Sequence, residues 1–261
     1  MNTQNHNRLN RAKVSSDKIL KNSNVSKWKL AQISEARYFE QEYLKNDCFY
    51  LDMERSEYLA KNIIENVLII DGSKNRDLKV IEIGCGPIGL IWGFKYSDLY
   101  GIDPLHDLYC KNSDVLRLRK EKHVKYSKAQ GEKINYPDKS FDLTICHNVL
   151  DHVENDEAMI NEIIRITKDD GIIYFNVNYH SKIYKFIKII LSRIGIYFEK
   201  HHPICFTKSE LLNIPVFFPL VMKHYSVDVF RLDLSSPSKL IKSLIRKIAG
   251  KGYVSIYLKK L

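Results

Sequence analysis

The chain has 261 residues, of which 44% are hydrophobic and 28% are charged, and this composition excludes a disordered or collagen-like protein. Its five cysteines are odd in number, far apart and without a CxxC pair, which argues against both a disulfide framework and a zinc site. The sequence has no signal-peptide-like stretch and no uncharged apolar window long enough to cross a bilayer, so we expect a cytoplasmic protein.

The formal charge of +10 is unevenly distributed along the chain. Lysine and arginine outnumber aspartate and glutamate by 7 to 1 in residues 1–30 and by 15 to 4 in residues 181–261. Residues 31–180 instead hold 19 basic and 26 acidic side chains. The basic ends indicate either an anionic partner or surface, or lysine-rich faces that are only solvated.

The N-terminal part of the chain divides into a polar arm and a helical cap. Residues 1–26 are polar, basic and without periodic apolar positions, which is typical of a flexible arm. Residues 27–75 contain two stretches of good helix formers, 28–44 and 54–68, that lack glycine and proline. We predict that these helices open a single domain that spans residues 27–261.

Residues 78–180 alternate short apolar runs with helix-like segments. The runs LKVIEIG, DLYGID, HVKYSKA, FDLTICHN and GIIYFNVN predict five strands. Runs that are apolar throughout, separated by helical patterns such as NDEAMINEIIRITK, are typical of buried parallel strands joined by crossover helices. The prediction is an α/β fold with a doubly wound, mainly parallel sheet, whose ligands bind beyond the carboxyl ends of the strands.

The pattern changes after Tyr179. Residues 181–220 begin with the basic apolar stretch SKIYKFIKIILSRIGIYF and contain a helix start at Thr207, so we expect a substrate-facing insertion here. Residues 221–261 contain two late strands, VMKHYSVDVF and GYVSIYLKK, around a second basic helix, SPSKLIKSLIRKIAG.

The segment VIEIGCGPIGL turns from an apolar strand into a glycine-rich turn. Gly84 and Gly86 permit a sharp turn and a close approach of ligand to backbone, and with Gly89 they match the GxGxxG dinucleotide pattern. The next strand ends at Asp103, where a carboxylate can accept hydrogen bonds from both hydroxyls of a ribose. These features predict a ribose-bearing ligand but do not separate a nicotinamide cofactor from other nucleoside cofactors.

The segment AQGEKINYPDKSFDLTICHNVLDHVEND resembles the pattern GDAExLPFPDxSFDxVxxxNVLEHVxD of class I S-adenosylmethionine-dependent methyltransferases that act on small molecules. VIEIGCG, YGIDP and RITKDDGIIYFNV are similar to three further motifs of that family, in the same order and spacing, so the resemblance spans residues 78–178. It implies a Rossmann-like sheet of seven strands with an N-terminal helical cap and a helical insertion after the fifth strand. It also implies methyl transfer, with S-adenosyl-L-methionine as cofactor and S-adenosyl-L-homocysteine as product.

The resemblance implies cofactor contacts at the residues that match its first two motifs. Four of these residues would surround the methionine portion: Glu82, Gly84, Cys85 and Gly86. Asp103 would bind the ribose hydroxyls, and Pro104 would lie against the adenine.

The later motifs imply further contacts, with one departure from the family. Gln130 stands where the family usually has an aspartate that accepts from the adenine amino group, and a neutral amide accepts this hydrogen bond more weakly. Gly131 and Glu132 follow at the family's alanine and glutamate positions. His147 falls beside the expected position of the sulfonium and its methyl group.

His147 is also a candidate general base, because the unperturbed pKa of histidine lies close to neutrality; the alternative is that its side chain only packs. Six other side chains are candidates for the acceptor pocket: Tyr38, His152, Tyr179, His180, His201 and His202. The paired histidines have no carboxylate or cysteine at ligand spacing, so no metal site is predicted. A base is needed only for a poor nucleophile, because alignment of the acceptor with the methyl group can supply most of the acceleration.

Several acceptors remain open. A cap and an insertion would enclose a modest pocket, which favours a small molecule such as a sugar or a nucleotide-linked biosynthetic intermediate. The two basic amphipathic segments favour instead a lipid-linked or quinone-like acceptor, with the protein peripheral at the inner membrane face. Nucleic acid is disfavoured, because the chain has CHNV where amino-group nucleic-acid methyltransferases carry an NPPY-type motif. A non-catalytic cofactor-binding protein is the last alternative, and the oligomeric state is not predicted.

Overall fold

The computed structural model describes residues 27–43, 48–72, 77–96, 98–194, 202, 204–218, 220–229 and 250–261. The predicted flexible arm, residues 1–26, lies outside the described residues, as does His201. The second basic helix pattern lies outside them too, apart from its last residue, Gly250.

Helices form where the sequence predicts them. The first, α1 (Lys27–Tyr38), continues into a π-helical turn (Phe39–Tyr43) and is followed by α2 (Cys48–Asp71). The other α-helices in the described ranges are α3 (His106–Tyr109), α4 (Ser113–Glu121), α5 (Asp156–Ile166), α6 (Lys182–Arg193) and α7 (Lys208–Asn213). Two 3-10 helices span Leu90–Gly93 and Ile214–Phe217. The predicted helix start at Thr207 is confirmed, because its side chain and that of Glu210 form a reciprocal capping box.

The strands are β1 (Lys79–Ile83), β2 (Asp98–Ile102), β3 (Lys125–Ser127), β4 (Phe141–His147), β5 (Thr167–His180), β6 (Phe206–Thr207), β7 (Leu220–Val229) and β8 (Gly252–Lys260). They form one sheet in the order β3-β2-β1-β4-β5-β8-β7, and the two-residue β6 pairs with β5. The first five strands are parallel, and β8 runs antiparallel to both β5 and β7. The predicted doubly wound, mainly parallel sheet of seven strands is therefore confirmed, with β6 as a short addition.

Alternating side chains of the central strands face two different helical layers. On β1, Ile81 and Ile83 join the core that includes α5, whereas Val80 packs with Ala60 and Ile63 of α2. Successive strand residues point to opposite faces of a sheet, so Glu82 lies on the same face as Val80. The sequence alternation thus directs the Glu82 carboxylate toward the N-terminal helices.

The 3-10 helix that follows the glycine-rich turn packs tightly under α2. A Cβ atom added at Gly93 would lie 2.7 Å from the backbone nitrogen of Glu57, which is closer than two such atoms approach in folded proteins. Backbone on both sides prevents a simple side-chain adjustment. Gly93 therefore sets how closely α2 approaches the sheet.

We expect Gly93→Ala to lower the free energy of unfolding by about 1–3 kcal/mol, because the added methyl group overpacks the contact with α2. Chemical denaturation followed by circular dichroism measures this change. Glu57→Ala is the matched control, since Glu57 is exposed on the same turn of α2 and its truncation should alter stability by no more than about 0.5 kcal/mol. Equal stability of Gly93→Ala and the wild type would contradict the tight contact.

Candidate cofactor-binding cleft

A cleft of about 630 Å³ opens at the carboxyl ends of β1, β2 and β4, next to the point between β1 and β4 where the strand order reverses. Ligands of doubly wound sheets bind at such a point. Residues of α1, the π-helical turn and α2 line its other side. The cleft is also lined by all the predicted cofactor contacts and by two of the acceptor candidates: Glu82, Gly84, Cys85, Gly86, Asp103, Pro104, Gln130, Gly131, Glu132, His147, Tyr38 and His152.

The glycine-rich turn lies at the bottom of the cleft. Gly84 and Gly86 have φ values of 68° and 61°, a left-handed conformation that favours glycine. A Cβ at Gly84 would collide with Val149, whereas a Cβ at Gly86 would meet no atom within 4 Å. The Gly84 and Cys85 N–H groups both donate to the Ile102 carbonyl, so these two amides are already paired within the turn.

Arg119 of α4 hydrogen-bonds to the backbone of this turn. Its guanidinium is buried and donates to the carbonyl oxygens of Pro87 at 2.6 Å and Gly86 at 2.9 Å. It also lies over the ring of Tyr126, 4.1 Å from the centroid. A planar fork of donors suits two adjacent carbonyls, so Arg119 fixes the path of the turn.

Asp103 is buried at the end of β2 and directed back toward the turn. Its two oxygens accept from the backbone N–H groups of Gly86 at 2.9 Å and Leu105 at 2.7 Å. Burial raises the pKa of Asp103, although these hydrogen bonds and Arg119 oppose that rise. Each carboxylate oxygen has a second lone pair, so Asp103 can still accept from hydroxyl groups.

Glu82 is a second buried carboxyl group in the cleft. Its Oε2 accepts from the Ile91 N–H at 2.8 Å, and a Cβ at Gly89 would collide with that same oxygen. Gly89 thus makes room for the Glu82 carboxyl group and begins the following 3-10 helix. Burial, together with the charge of Asp103, raises the pKa of Glu82 to about 8.

The loop after β3 contributes one exposed and two anchored residues. Gln130 is exposed and faces the cleft, whereas Gly131 is buried so close to Met159 that a Cβ would crowd its side chain. The Glu132 carboxylate accepts from the Glu154 N–H at 2.8 Å, which ties the loop to the start of α5. The thiol of Cys85 lies next to Gly101, where a Cβ atom would come within 3.0 Å of its sulfur.

The cleft is acidic although the protein is basic. Carboxyl groups from α1, α2, β1, β2 and the loop after β3 line it: Glu35, Asp52, Glu82, Asp103 and Glu132. Arg55 is the cationic side chain among the described lining residues. A sulfonium and an ammonium group are favoured by such a potential, and buried Asp103 offers acceptors for ribose, so the residues present fit S-adenosylmethionine.

His147 lines the cleft at the end of β4, stacked on Tyr174 with ring centroids 6.2 Å apart. Burial lowers its pKa to about 4, and the charge of Arg55 contributes to this lowering. The imidazole is therefore neutral at pH 7 and is a weak base. Its role as general base stays a prediction, which this low pKa disfavours.

The other acceptor candidates separate into two groups. Tyr38 and His152 line the cleft, and His202 touches both His152 and Asp151 at its edge. Tyr179 instead packs against the core near β6, and His180 is buried in a stack with Tyr184, with ring centroids 4.6 Å apart. Neither Tyr179 nor His180 is among the described residues that line the cleft.

Sequence reasoning missed three charged residues of the cleft, Glu35, Asp52 and Arg55. They lie on α1 and α2, outside the motifs, and no spacing in the sequence relates them to the strand ends. Burial, together with the charges of Asp103 and Asp151, raises the pKa of Glu35 to about 7. Asp151 was also missed as a polar residue of this region, although it falls within the matched segment NVLDHV.

Comparisons with known proteins agree with this fold. Residues 81–175 match the family described as the methyltransferase domain. An uncharacterized methyltransferase of Schizosaccharomyces pombe is 34% identical over 103 residues, which cover 36% of this chain and 37% of that protein. A ubiquinone biosynthesis O-methyltransferase of Rickettsia conorii is 29% identical over 117 residues, 41% of this chain and 37% of that protein. The matches thus span little more than a third of either relative.

The solved structures give the same fold. A geranyl diphosphate C-methyltransferase from Streptomyces coelicolor, in complex with Mg²⁺, geranyl diphosphate and S-adenosyl-L-homocysteine, superposes with a TM-score of 0.53 and 15% identity, covering 77% of both chains. At this identity the likeness concerns the fold alone. Together with the ordered motifs and the methyltransferase-domain match over residues 81–175, this fold supports a class I S-adenosylmethionine-dependent methyltransferase.

Proposed function

We propose that this protein transfers a methyl group from S-adenosylmethionine to a small-molecule acceptor. The observation that carries the proposal is the acidic cleft. Two of its buried carboxyl groups, those of Glu82 and Asp103, lie at the carboxyl ends of the adjacent strands β1 and β2. When bound, the cofactor supplies a methyl group activated by a positively charged sulfur. The residues of the chain bind, orient and shield the reacting groups.

Two carboxyl groups would hold the ribose and the methionine portion of the cofactor. Asp103 keeps lone pairs for ribose hydroxyls while its bonds to Gly86 and Leu105 fix its orientation. Glu82 in its ionised form would pair with the amino group of the methionine portion. Trp28 and Tyr38 of the first cap helix line the same cleft.

The residues around the transferred group favour alignment over proton removal. His147 is neutral and weakly basic, so it can accept a hydrogen bond from an acceptor hydroxyl but does not readily take its proton. Positioning the acceptor in line with the activated methyl group can supply most of the rate acceleration. The acceptor is of the sugar or nucleotide-linked class in this proposal.

A second candidate acceptor, lipid-linked or quinone-like, is favoured by the orientation of α6. Its polar side faces the domain, because Lys185 pairs with Glu210 at 2.6 Å and Lys188 donates to the His202 carbonyl at 2.8 Å. Its apolar side faces outward, with Ile183 72% and Phe186 64% exposed. None of the described helices combines the length and apolar character that a bilayer crossing requires.

This arrangement suits a helix that lies in the surface of a membrane. The exposed Lys182 and Arg193 flank the apolar side, and their charge complements anionic lipid head groups. The Rickettsia conorii relative is named for ubiquinone biosynthesis, which supports a quinone-like acceptor as the second candidate. The other basic amphipathic segment lies outside the described residues.

Asp103→Asn tests the proposed ribose contact and the activity together. It retains one acceptor oxygen but removes the charge, so we expect affinity for S-adenosyl-L-homocysteine to fall about tenfold to hundredfold in calorimetry. Labelled methyl transfer from S-adenosylmethionine to a metabolite extract should fall with it. Asp107→Asn is the matched control, because Asp107 is exposed on α3 and pairs with Lys128. Wild-type affinity in Asp103→Asn would remove the ribose contact from the proposal.

Glu82 predicts a pH dependence of cofactor binding. With a pKa of about 8, its carboxyl group is mostly protonated at pH 7, whereas pairing with an amino group requires the ionised form. Binding should therefore release a proton below pH 8, and affinity for S-adenosyl-L-homocysteine should rise about tenfold between pH 6 and pH 7, rise further to pH 8 and level off above it. Calorimetry in buffers of different ionisation enthalpy measures the released proton. In Glu82→Gln the affinity should no longer change with pH over this range. An unchanged pH dependence would show that another group releases the proton.

The membrane alternative predicts that α6 binds anionic vesicles. The wild type should sediment with vesicles containing phosphatidylglycerol, less so at high salt, and the combined Ile183→Gln, Phe186→Gln and Ile190→Gln variant should remain in solution. Ile69→Gln on α2 is the control, because Ile69 is 79% exposed but lies on a different helix. If the wild type does not sediment with these vesicles, the membrane acceptor is eliminated and the first proposal is unaffected.

A further inference from the structure

Three potential ligand residues meet at the edge of the cleft. Asp151 and His152 follow β4, and His202 lies in the segment before β6. One nitrogen from each imidazole and one Asp151 oxygen lie within 4.8 Å of one another. From the geometry of this cluster we propose that Asp151, His152 and His202 bind a divalent transition-metal ion such as Zn²⁺.

The first argument is the charge of Asp151. Its side chain is 2% exposed, and its ion-pair partners are the two imidazoles. Its Oδ2 lies 2.7 Å from His202 Nδ1 and accepts from the neutral Asn178 amide at 3.3 Å. A buried carboxylate needs a compensating cation, which is either a proton on an imidazole or a metal ion.

The second argument is the spacing of Asp151 Oδ1. This oxygen is buried and has no hydrogen-bond donor among the described residues. It lies 3.7 Å from His152 Nε2, which is too long for a hydrogen bond. Two ligand atoms that each lie about 2.1 Å from a tetrahedral metal ion are about 3.4 Å apart, so a metal ion fits between them with a small adjustment.

The third argument is the position of Glu35. Its Oε2 lies 4.0 Å from Nδ1 of His152, on the opposite side of the ring from Asp151. This distance is too long for a hydrogen bond, but a negative charge on Glu35 favours the tautomer whose hydrogen is on Nδ1 and so leaves the lone pair of Nε2 available to a metal. In this tautomer the Nε2 lone pair faces the carboxylate oxygen of Asp151, and a cation between them removes the repulsion.

The chemistry of these ligands selects the kind of ion. Two imidazole nitrogens with one carboxylate oxygen suit zinc and other first-row transition metals better than Mg²⁺ or Ca²⁺, which prefer oxygen ligands. Three protein ligands leave at least one position open, and His152 lines the cleft, so this position can face a bound molecule. An oxygen atom of the acceptor would take it; this role rests on the proposed methyl transfer, whereas metal binding itself does not.

Metal titration of the full chain tests the site. Protein treated with a chelator and dialysed should bind one equivalent of Zn²⁺ in calorimetry, and Co²⁺ should give visible absorption bands of a low-symmetry site. His202→Ala and Asp151→Asn should each weaken Zn²⁺ binding at least tenfold. His224→Ala is the matched control, because this exposed histidine lies on β7, outside the cluster, and its loss should change nothing.

Binding of S-adenosyl-L-homocysteine to the same samples separates this proposal from the previous one. We expect both cluster variants to retain it, as Asp151 and His202 are not among the described residues that line the cleft. If circular dichroism shows that Asp151→Asn is not folded like the wild type, Zn²⁺ binding by His202→Ala alone decides whether the metal site exists. Failure of the wild type to bind Zn²⁺ or Co²⁺, or equal binding by His202→Ala, would overturn the metal site and leave a proton-sharing Asp151–His202 pair.

Discussion

The shape of the cleft depends on the buried guanidinium of Arg119. It holds the carbonyl oxygens of Pro87 and Gly86, lies over Tyr126 and has Nη1 3.1 Å from His106 Nδ1. Because Arg119 fixes these carbonyl oxygens, the Gly86 N–H is oriented to donate a hydrogen bond to Asp103. A lysine could not reproduce this fork, because its single ammonium group lacks the planar pair of donors. One side chain on α4 thus connects the glycine-rich turn to the carboxylate at the next strand end.

The electrostatics of the cleft oppose those of the whole protein. The chain has a net charge of +10, yet carboxyl groups from the central strand ends and the first helices line its cleft. Burial raises the pKa values of Glu35 to about 7 and Glu82 to about 8, since these charges lose hydration and repel one another. A cationic ligand would restore their ionised forms.

Much of the fold follows from local patterns. Uniformly apolar runs identified the five parallel strands, and the capping box at Thr207 marked the start of α7. Residues that directly follow β1, β2 and β4 line one cleft, because the carboxyl ends of parallel strands lie at the same edge of the sheet. Tyr179 and His180 met the same criterion but are packed elsewhere, since β5 continues past its neighbour β4 and pairs there with β6 and β8.

The sequence by itself determined the sheet, the glycine-rich turn and the candidate residues at the strand ends, because hydrophobic period and turn chemistry act between near neighbours. The tertiary structure alone decided which distant groups meet. It placed Glu35 of α1 near His152 and brought His202 to Asp151, fifty-one residues earlier in the chain. It also turned the apolar side of α6 outward, because ion pairs and hydrogen bonds hold its lysines against the domain. Such contacts depend on the packing of whole elements, which no local spacing encodes.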